Sequence, residues 1–260
     1  MSPTSEVMQT KCFMPGRVEM QVHQRDTSCH KPTAAFILHQ FGIIAYSGKK
    51  IEVALTFMSM ACAQPEAPAL CHRNYAEMLH RCGQLDRAEA AARRAVQCDS
   101  DCVDAWDTLG TILFDRGALA ESRDCYQAAV QIKPDFLPAL NNLAVVLHKL
   151  GQFDASEVYY RGALNLQSDN LEIQLNFANL LEELKRYREA LALAKRVLEG
   201  CTKSNELRQV ALELKRRLAR AASSQKGAGR ILRVALKSRE SKTRRAGAPI
   251  QARRSANRSS

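Results

Sequence analysis

Small and large apolar residues recur at a constant interval of 34 positions through most of the chain. Four consecutive copies begin at Ala69, Val103, Leu137 and Leu171, and a weaker copy begins at Ala35. We number the positions of each copy as columns, starting from these residues. Column twenty-seven holds small or β-branched residues, namely Ala61, Ala95, Ala129, Ala163 and Val197. Such a period predicts a repeat array, in which the copies bury their apolar faces by stacking on one another.

Each copy has the pattern of two helices. In the third copy an apolar stripe at helical spacing passes through Trp106, Leu109, Ile112 and Leu113. Gly117 then stands where a helix end adopts a left-handed backbone. A second helix follows through Ser122, Tyr126, Ala129 and Val130, and Pro134 ends it. Small residues at columns eight, twenty and twenty-seven predict a close approach of helix axes, at about 8–10 Å.

These columns resemble a known repeat family. Trp106, Leu109, Gly110, Leu113, Ser122, Tyr126, Ala129 and Pro134 resemble the tetratricopeptide repeat. The first and last copies depart at the usual glycine column, where Lys49 and Lys185 stand. The resemblance covers 35 to about 202 and implies an all-α fold, a right-handed α-solenoid of about five helix-turn-helix repeats with a C-terminal capping helix. An ordinary helical bundle with a chance repeat is the alternative.

The sequence divides into four segments on this basis. Residues 1–34 show no sustained period, which predicts a mobile N-terminal leader. The five repeats are expected at 35–68, 69–102, 103–136, 137–170 and 171–202. An apolar stripe over 203–222 predicts the capping helix. Residues 223–260 are rich in Ser, Gly, Ala and Arg, which predicts a disordered basic tail because they cannot bury enough apolar surface.

The net charge of +11 is concentrated in the last quarter of the chain. Residues 203–260 contain 17 Lys and Arg against 3 Asp and Glu. Polyanion contacts through Arg244, Arg245, Arg253 and Arg254 are one interpretation, with weak nonspecific binding to nucleic acid or anionic lipid. A solvated tail without a partner, or a shifted reading frame, is the other. No apolar run is long enough for a membrane span and no secretory signal begins the chain, which predicts a cytoplasmic protein.

Column six holds a row of amide and hydroxyl side chains: Gln40, Asn74, Thr108, Asn142 and Asn176. The row resembles the asparagine ladder in the repeat region of O-linked N-acetylglucosamine transferases. The resemblance implies that these side chains are exposed on a concave face and bind the main chain of an extended peptide. Neighbouring columns add Arg73, Asp107, Asn141 and Asn179 to the candidate peptide-binding residues. The alternative is that Asn occupies this column for packing.

Catalytic and cofactor chemistry is not indicated. Cys98 and Cys102 are spaced like half of a metal site, but no second close pair completes it, so neither a metal nor a cofactor is expected. No phosphate-binding loop or serine elbow is present. Columns five and nine do not assemble the cationic clamp that captures chaperone carboxylates in this family. We therefore expect neither a small-molecule substrate nor an enzyme activity.

The leading hypothesis is a non-enzymatic scaffold or adaptor that binds a protein or an extended peptide. Two alternatives stay open. One is a truncated relative of an O-linked N-acetylglucosamine transferase that retains only its substrate-presenting repeats. The other is a scaffold anchored to nucleic acid or an anionic membrane by its basic tail. The sequence does not indicate an oligomeric state.

Overall fold

The computed structural model describes residues 33–201 and 206–224, and these contain helices and no strand. The first helices of the five pairs are α1 Ala34–Ser47, α3 Ala69–Arg81, α5 Val103–Asp115, α7 Leu137–Lys149 and α9 Leu171–Glu183. The second helices of the pairs are α2 Ile51–Cys62, α4 Leu85–Cys98, α6 Leu119–Ile132, α8 Phe153–Leu166 and α10 Tyr187–Gly200. A further helix, α11, covers 206–224. The predicted fold class, an α-solenoid of helix-turn-helix repeats, is confirmed.

The turn inside each pair has the same backbone in all five copies. Column fifteen has a positive φ, at 82° in Gly117 and at 59° and 60° in Lys49 and Lys185. The next residue closes the helix end through a hydrogen bond five residues back, as from the amide of Ala118 to the carbonyl of Leu113 at 2.9 Å. The left-handed backbone predicted at Gly117 is confirmed. The two lysines adopt it too, although a left-handed backbone costs a residue with a Cβ about 1–2 kcal/mol.

The two helices of a pair approach closely at columns eight and twenty. The hydroxyl of Ser122 donates to the carbonyl of Gly110 at 2.7 Å, and the hydroxyl of Ser156 donates to the carbonyl of Ala144 at the same distance. Both serines are buried. A serine at column twenty therefore joins the two helices by a hydrogen bond, in a place where larger side chains do not fit.

Successive pairs bury their apolar columns between them. Tyr126 and Ala129 of the third copy belong to the same buried cluster as Leu143 and Val146 of the fourth. The ring of Phe177 lies 5.7 Å from that of Tyr160, which belongs to the preceding copy. These contacts explain why no copy needs an apolar core of its own.

The chain forms two compact units, Met1–Leu180 and Leu181–Ser260. In the second unit, α11 buries Leu207, Ala211, Leu214 and Leu218. Arg217 pairs with Glu182 at 2.6 Å, 35 positions away in the sequence. The stripe of the predicted capping helix is thus buried, while its capping role stays a prediction. The leader up to residue 32 and the tail from residue 225 lie outside the described residues.

Candidate functional site

The candidate peptide-binding residues lie on the first helices of the pairs, at columns five, six and nine. Asn74, Asn142 and Asn176 at column six are 1%, 3% and 2% exposed. The expectation that these amides stand open to a ligand is therefore not met in the described residues. Asn141 and Asn179 are buried as well. Buried amides need hydrogen-bond partners, and those partners define the site.

The amides form a hydrogen-bonded ladder across the third, fourth and fifth copies. Asn142 Nδ2 donates to Asp107 Oδ1 at 3.0 Å, and Asn176 Nδ2 donates to Asn141 Oδ1 at 3.3 Å. Asn141 Nδ2 lies 3.5 Å from Asn142 Oδ1 and connects the two bonds. Each bond between copies joins column six to column five of the preceding copy, 35 positions away. The ladder therefore holds neighbouring first helices in register.

The first two copies repeat this geometry with a histidine. His39 Nε2 and Asn74 Nδ2 lie 2.8 Å apart, and both residues are buried. Burial, and then the nearby charge of Arg73, lower the pKa of His39, so the neutral ring is the favoured form. Asn74 Oδ1 is buried and has no hydrogen-bond partner among the described residues. It is an unused acceptor inside the row.

Arg73 lies at column five of the second copy, between these two parts of the row. Its side chain is 7% exposed, and its closest carboxylate oxygen, Asp104 Oδ1, is 4.0 Å from Nη1. That distance is too long for a hydrogen bond. Among the described residues the guanidinium therefore has one loose ion pair and no hydrogen bond. A nearly buried guanidinium with five N–H donors is a strong candidate contact for a ligand oxygen.

Asp107 at the same column of the third copy has the opposite charge. Burial raises the pKa of its carboxyl to about 7, against the hydrogen bond from Asn142, which favours the ionised form. Thr108 bonds inside its own helix instead, from its hydroxyl to the carbonyl of Asp104 at 2.8 Å. The structure thus brings Asp107, Asn141, Asn142 and Asn176 together and leaves Thr108 out of the ladder.

Sequence reasoning did not select His39 as part of this row. The signal was available, because His39 and Asn74 are 35 positions apart, one more than the repeat length. Polar residues at that spacing on neighbouring first helices face each other here. The candidate polyanion contacts Arg244, Arg245, Arg253 and Arg254 lie outside the described residues.

Two findings on residues 33–201 and 206–224 concern metal sites and membrane-spanning helices. No group of three or more His, Cys, Asp or Glu in this part of the chain could hold a metal ion. Cys98 and Cys102 are free cysteines. No helix among the described residues is long and apolar enough to cross a membrane.

Comparison with known families agrees with the helical pairs. Residues 135–203 match a family model described as tetratricopeptide repeat, and residues 110–151 match one described as TPR repeat. No curated protein matches the chain in sequence. The family matches therefore cover the central and C-terminal copies.

Solved structures give the same fold at low identity. MamA is 16% identical with a TM-score of 0.58, over 64% of this chain and 91% of that one. YrrB, a TPR protein with an unusual peptide-binding site, is 16% identical with a TM-score of 0.58, over 70% of this chain and 92% of that one. A thermophilic TPR protein of Thermus thermophilus is 22% identical with a TM-score of 0.54, over 72% of this chain and 98% of that one.

Identities of this size show the fold and leave the ligand open. Helical pairs with one turn geometry, a constant spacing of 34 residues and two matching family models point to the same kind of repeat. Residues 110–203 therefore match the tetratricopeptide repeat in sequence, and the described residues have an α-solenoid fold of helix-turn-helix pairs.

Proposed function

We propose that the chain is a non-enzymatic scaffold that binds an extended peptide or a partner segment along the face of its first helices. Tetratricopeptide repeat proteins in general mediate interactions between proteins. The single observation that supports a ligand here is Arg73, whose guanidinium is nearly buried and has no hydrogen bond among the described residues. A ligand carbonyl or carboxylate oxygen would supply the missing acceptor.

The residues around Arg73 define the chemistry of the ligand. Asn74, next in sequence, is buried and holds its amide against His39, so it borders Arg73 without being open to a ligand. Asp107, on the neighbouring first helix, offers a carboxylate whose pKa of about 7 leaves it close to half ionised at neutral pH. A cationic ligand group would favour its ionised form. The proposed ligand therefore combines an acceptor opposite Arg73 with a donor or cation opposite Asp107.

The ladder supports this role by ordering the face before a ligand arrives. The bonds that join Asp107 to Asn142 and Asn141 to Asn176 fix the rotamers of their side chains. A face that is already ordered loses less conformational entropy on binding. In this proposal the column-six amides position their neighbours, and the direct ligand contact falls to Arg73.

Three thiols on the helices have raised pKa values, which is a physical argument against nucleophilic chemistry at these three cysteines. Burial raises the pKa of Cys62 and of Cys125 to about 12, and that of Cys71 to about 11. These cysteines are therefore protonated at neutral pH, whereas the thiolate is the reactive form. They are suited to packing, in agreement with a scaffold.

The experiment selects peptides from a displayed library with the full-length chain and measures their affinities for variants. Arg73→Gln removes the proposed ligand contact, and Arg123→Gln removes a surface arginine that pairs with its neighbour Asp124. We expect Arg73→Gln to weaken binding about tenfold or more, since a hydrogen bond to a charged group contributes about 1.5–3 kcal/mol. Arg123→Gln is expected to bind like the original chain. Equal affinities for the two variants, or no selected peptide, would refute the proposal.

The basic tail supports a second candidate function, binding to polyanions. Residues 223–260 contain 11 Lys and Arg and one acidic residue, Glu240. Binding of duplex DNA by this segment would weaken steeply with salt, with a log–log slope of about −0.9 for each phosphate neutralised. Replacing Arg244, Arg245, Arg253 and Arg254 by Gln should reduce that slope. An unchanged slope would count against the tail as the binding segment.

A further inference from the structure

One face of α1 is exposed although the same face is buried in the later copies. Ile37, Phe41 and Ile44, at columns three, seven and ten, are 42%, 50% and 63% exposed. Their spacing of four and three residues places them in one stripe along the helix. The residues at column ten of the next four copies, Met78, Ile112, Val146 and Leu180, are at most 1% exposed.

The preceding helical pair accounts for that difference. At columns seven and ten of the fourth copy, Leu143 and Val146 pack in one cluster with Tyr126 and Ala129 of the third copy. The first copy has no such pair before it among the described residues, which begin at 33. The α1 face, which we define as Ile37, Phe41, Ile44 and Phe57, is therefore a repeat-stacking surface without its usual cover. Phe57 belongs to it because its ring lies 5.5 Å from that of Phe41.

The leader sequence is a poor match to a further copy that would cover this face. Counted back by 34 positions, column fifteen falls on Pro15, and columns eight and twenty fall on Met8 and Met20. Column fifteen has a positive φ in all five described copies, which proline cannot adopt. Columns eight and twenty need small residues for close helix approach, as at Gly110 and Ser122. A separate molecule is thus the better candidate for the cover.

The absence of charged side chains on α1 favours a second copy of the same chain as the molecule that covers this face. The helix Ala34–Ser47 contains no Asp, Glu, Lys or Arg. In a two-fold interface each residue of the axis region faces its own symmetry mate, so any charge there would meet a like charge. An uncharged apolar stripe has no such repulsion. Phe41 lies in the middle of the stripe, so antiparallel pairing about it places Ile37 opposite the partner's Ile44.

We propose that the α1 face is a homodimer interface, in which α1 packs against α1 of a second copy around a two-fold axis near Phe41. On α1 this surface lies on columns three, seven and ten, apart from columns five and six of the candidate ligand row. The interface would leave Arg73 and the ladder available, and the dimer would present two ligand faces. Contiguous exposed apolar surface of this kind commonly marks an interaction site.

The test compares the mass in solution of full-length variants by analytical ultracentrifugation over a wide range of concentration. The original chain is expected to sediment with twice its mass of 29.0 kDa. Phe41→Glu and Ile44→Glu together should weaken dimerisation at least about a hundredfold, because they bury unpaired charges. Both positions are at least half exposed in the monomer, so circular dichroism should show unchanged helicity.

Val158→Glu on α8 is the matched control, since Val158 is an apolar residue that is 67% exposed and lies away from α1. This variant should dimerise like the original chain. An original chain that is monomeric throughout, a Phe41→Glu/Ile44→Glu variant that stays dimeric, or an equal loss in Val158→Glu would each overturn the proposal. If the original chain is monomeric and hydrogen exchange still shows protection of α1, the cover is residues 1–32 of the same molecule and the proposal is wrong.

Discussion

Gly110 offers the sharpest test of helix packing inside a repeat, through the variant Gly110→Ala. A Cβ built on Gly110 would lie 2.7 Å from Cε1 and 2.9 Å from Cζ of Tyr126. The ring cannot easily move away, because Tyr126 is fully buried and its hydroxyl lies 3.0 Å from that of Thr111. The added methyl group therefore forces the two helices apart or the ring off its rotamer.

The expected free-energy change is the balance of two effects. Replacing glycine by alanine inside a helix stabilises by about 0.8–1.0 kcal/mol. Overpacking of a close contact costs about 1–3 kcal/mol. We expect Gly110→Ala to lower the free energy of unfolding by about 0–2 kcal/mol as the difference of these two ranges.

Gly162 provides a matched control within α8. A Cβ added at Gly162 meets nothing within 4 Å. Gly162→Ala should therefore show the helix effect alone and stabilise the protein by about 1 kcal/mol. The difference between the two variants isolates the contact with Tyr126, at about 1–3 kcal/mol.

The assay is urea denaturation of both full-length variants under the same conditions, with circular dichroism as the measure of unfolding. The midpoint is the quantity to compare, because a repeat array can depart from a two-state transition. Gly110→Ala should unfold at lower urea than Gly162→Ala, with similar helicity before the transition. Equal midpoints would show that the approach of column eight to Tyr126 is not as close as the structure has it.

Three further outcomes are expected. Ala129→Leu, at a fully buried position, should destabilise by about 1–3 kcal/mol in thermal or urea unfolding, whereas Ala128→Leu, which is half-buried, should cost much less; equal effects would mean that the helix faces are misassigned. Lys185→Gly should stabilise by about 1 kcal/mol and Gly117→Ala should destabilise by a similar amount, because column fifteen is left-handed in both places; effects of the same sign would contradict this. Burial raises the pKa of Asp107 to about 7 in the folded protein, so the folded state binds this proton more tightly than the unfolded state, and the free energy of unfolding falls as pH rises from about 4 to 7. Asp107→Asn should flatten that pH dependence in denaturation at several pH values. An unchanged slope would exclude Asp107 as its source.

Much of the fold could be predicted from the sequence because its determinants are local. The 34-residue period identifies the copies, and the columns of small residues identify where helices meet. Gly117 predicts the helix end because its conformational freedom is a property of the residue itself. Lys49 and Lys185 stand where glycine is usual, yet the same turn hydrogen bonds hold them in the left-handed backbone.

The candidate site was only partly predictable. The row of column-six amides is visible in the sequence, but the partner of each amide depends on how one helical pair is rotated against the next. Only the tertiary structure shows that Asn142 donates to Asp107 and that Asn176 donates to Asn141. These bonds explain why the amides are buried, and they leave Arg73 as the group without a hydrogen bond among the described residues.

The sequence by itself therefore determined the kind of fold, through helical periodicity, turn residues and the sizes of side chains at each column. The tertiary structure alone decided at which copies these apolar columns are buried against a neighbouring helical pair. Ile44 and Val146 are equally apolar and occupy the same column, yet Val146 is fully buried and Ile44 is mostly exposed. The physical reason is that burial depends on the neighbouring helical pair, and the described residues contain no such pair before the first copy.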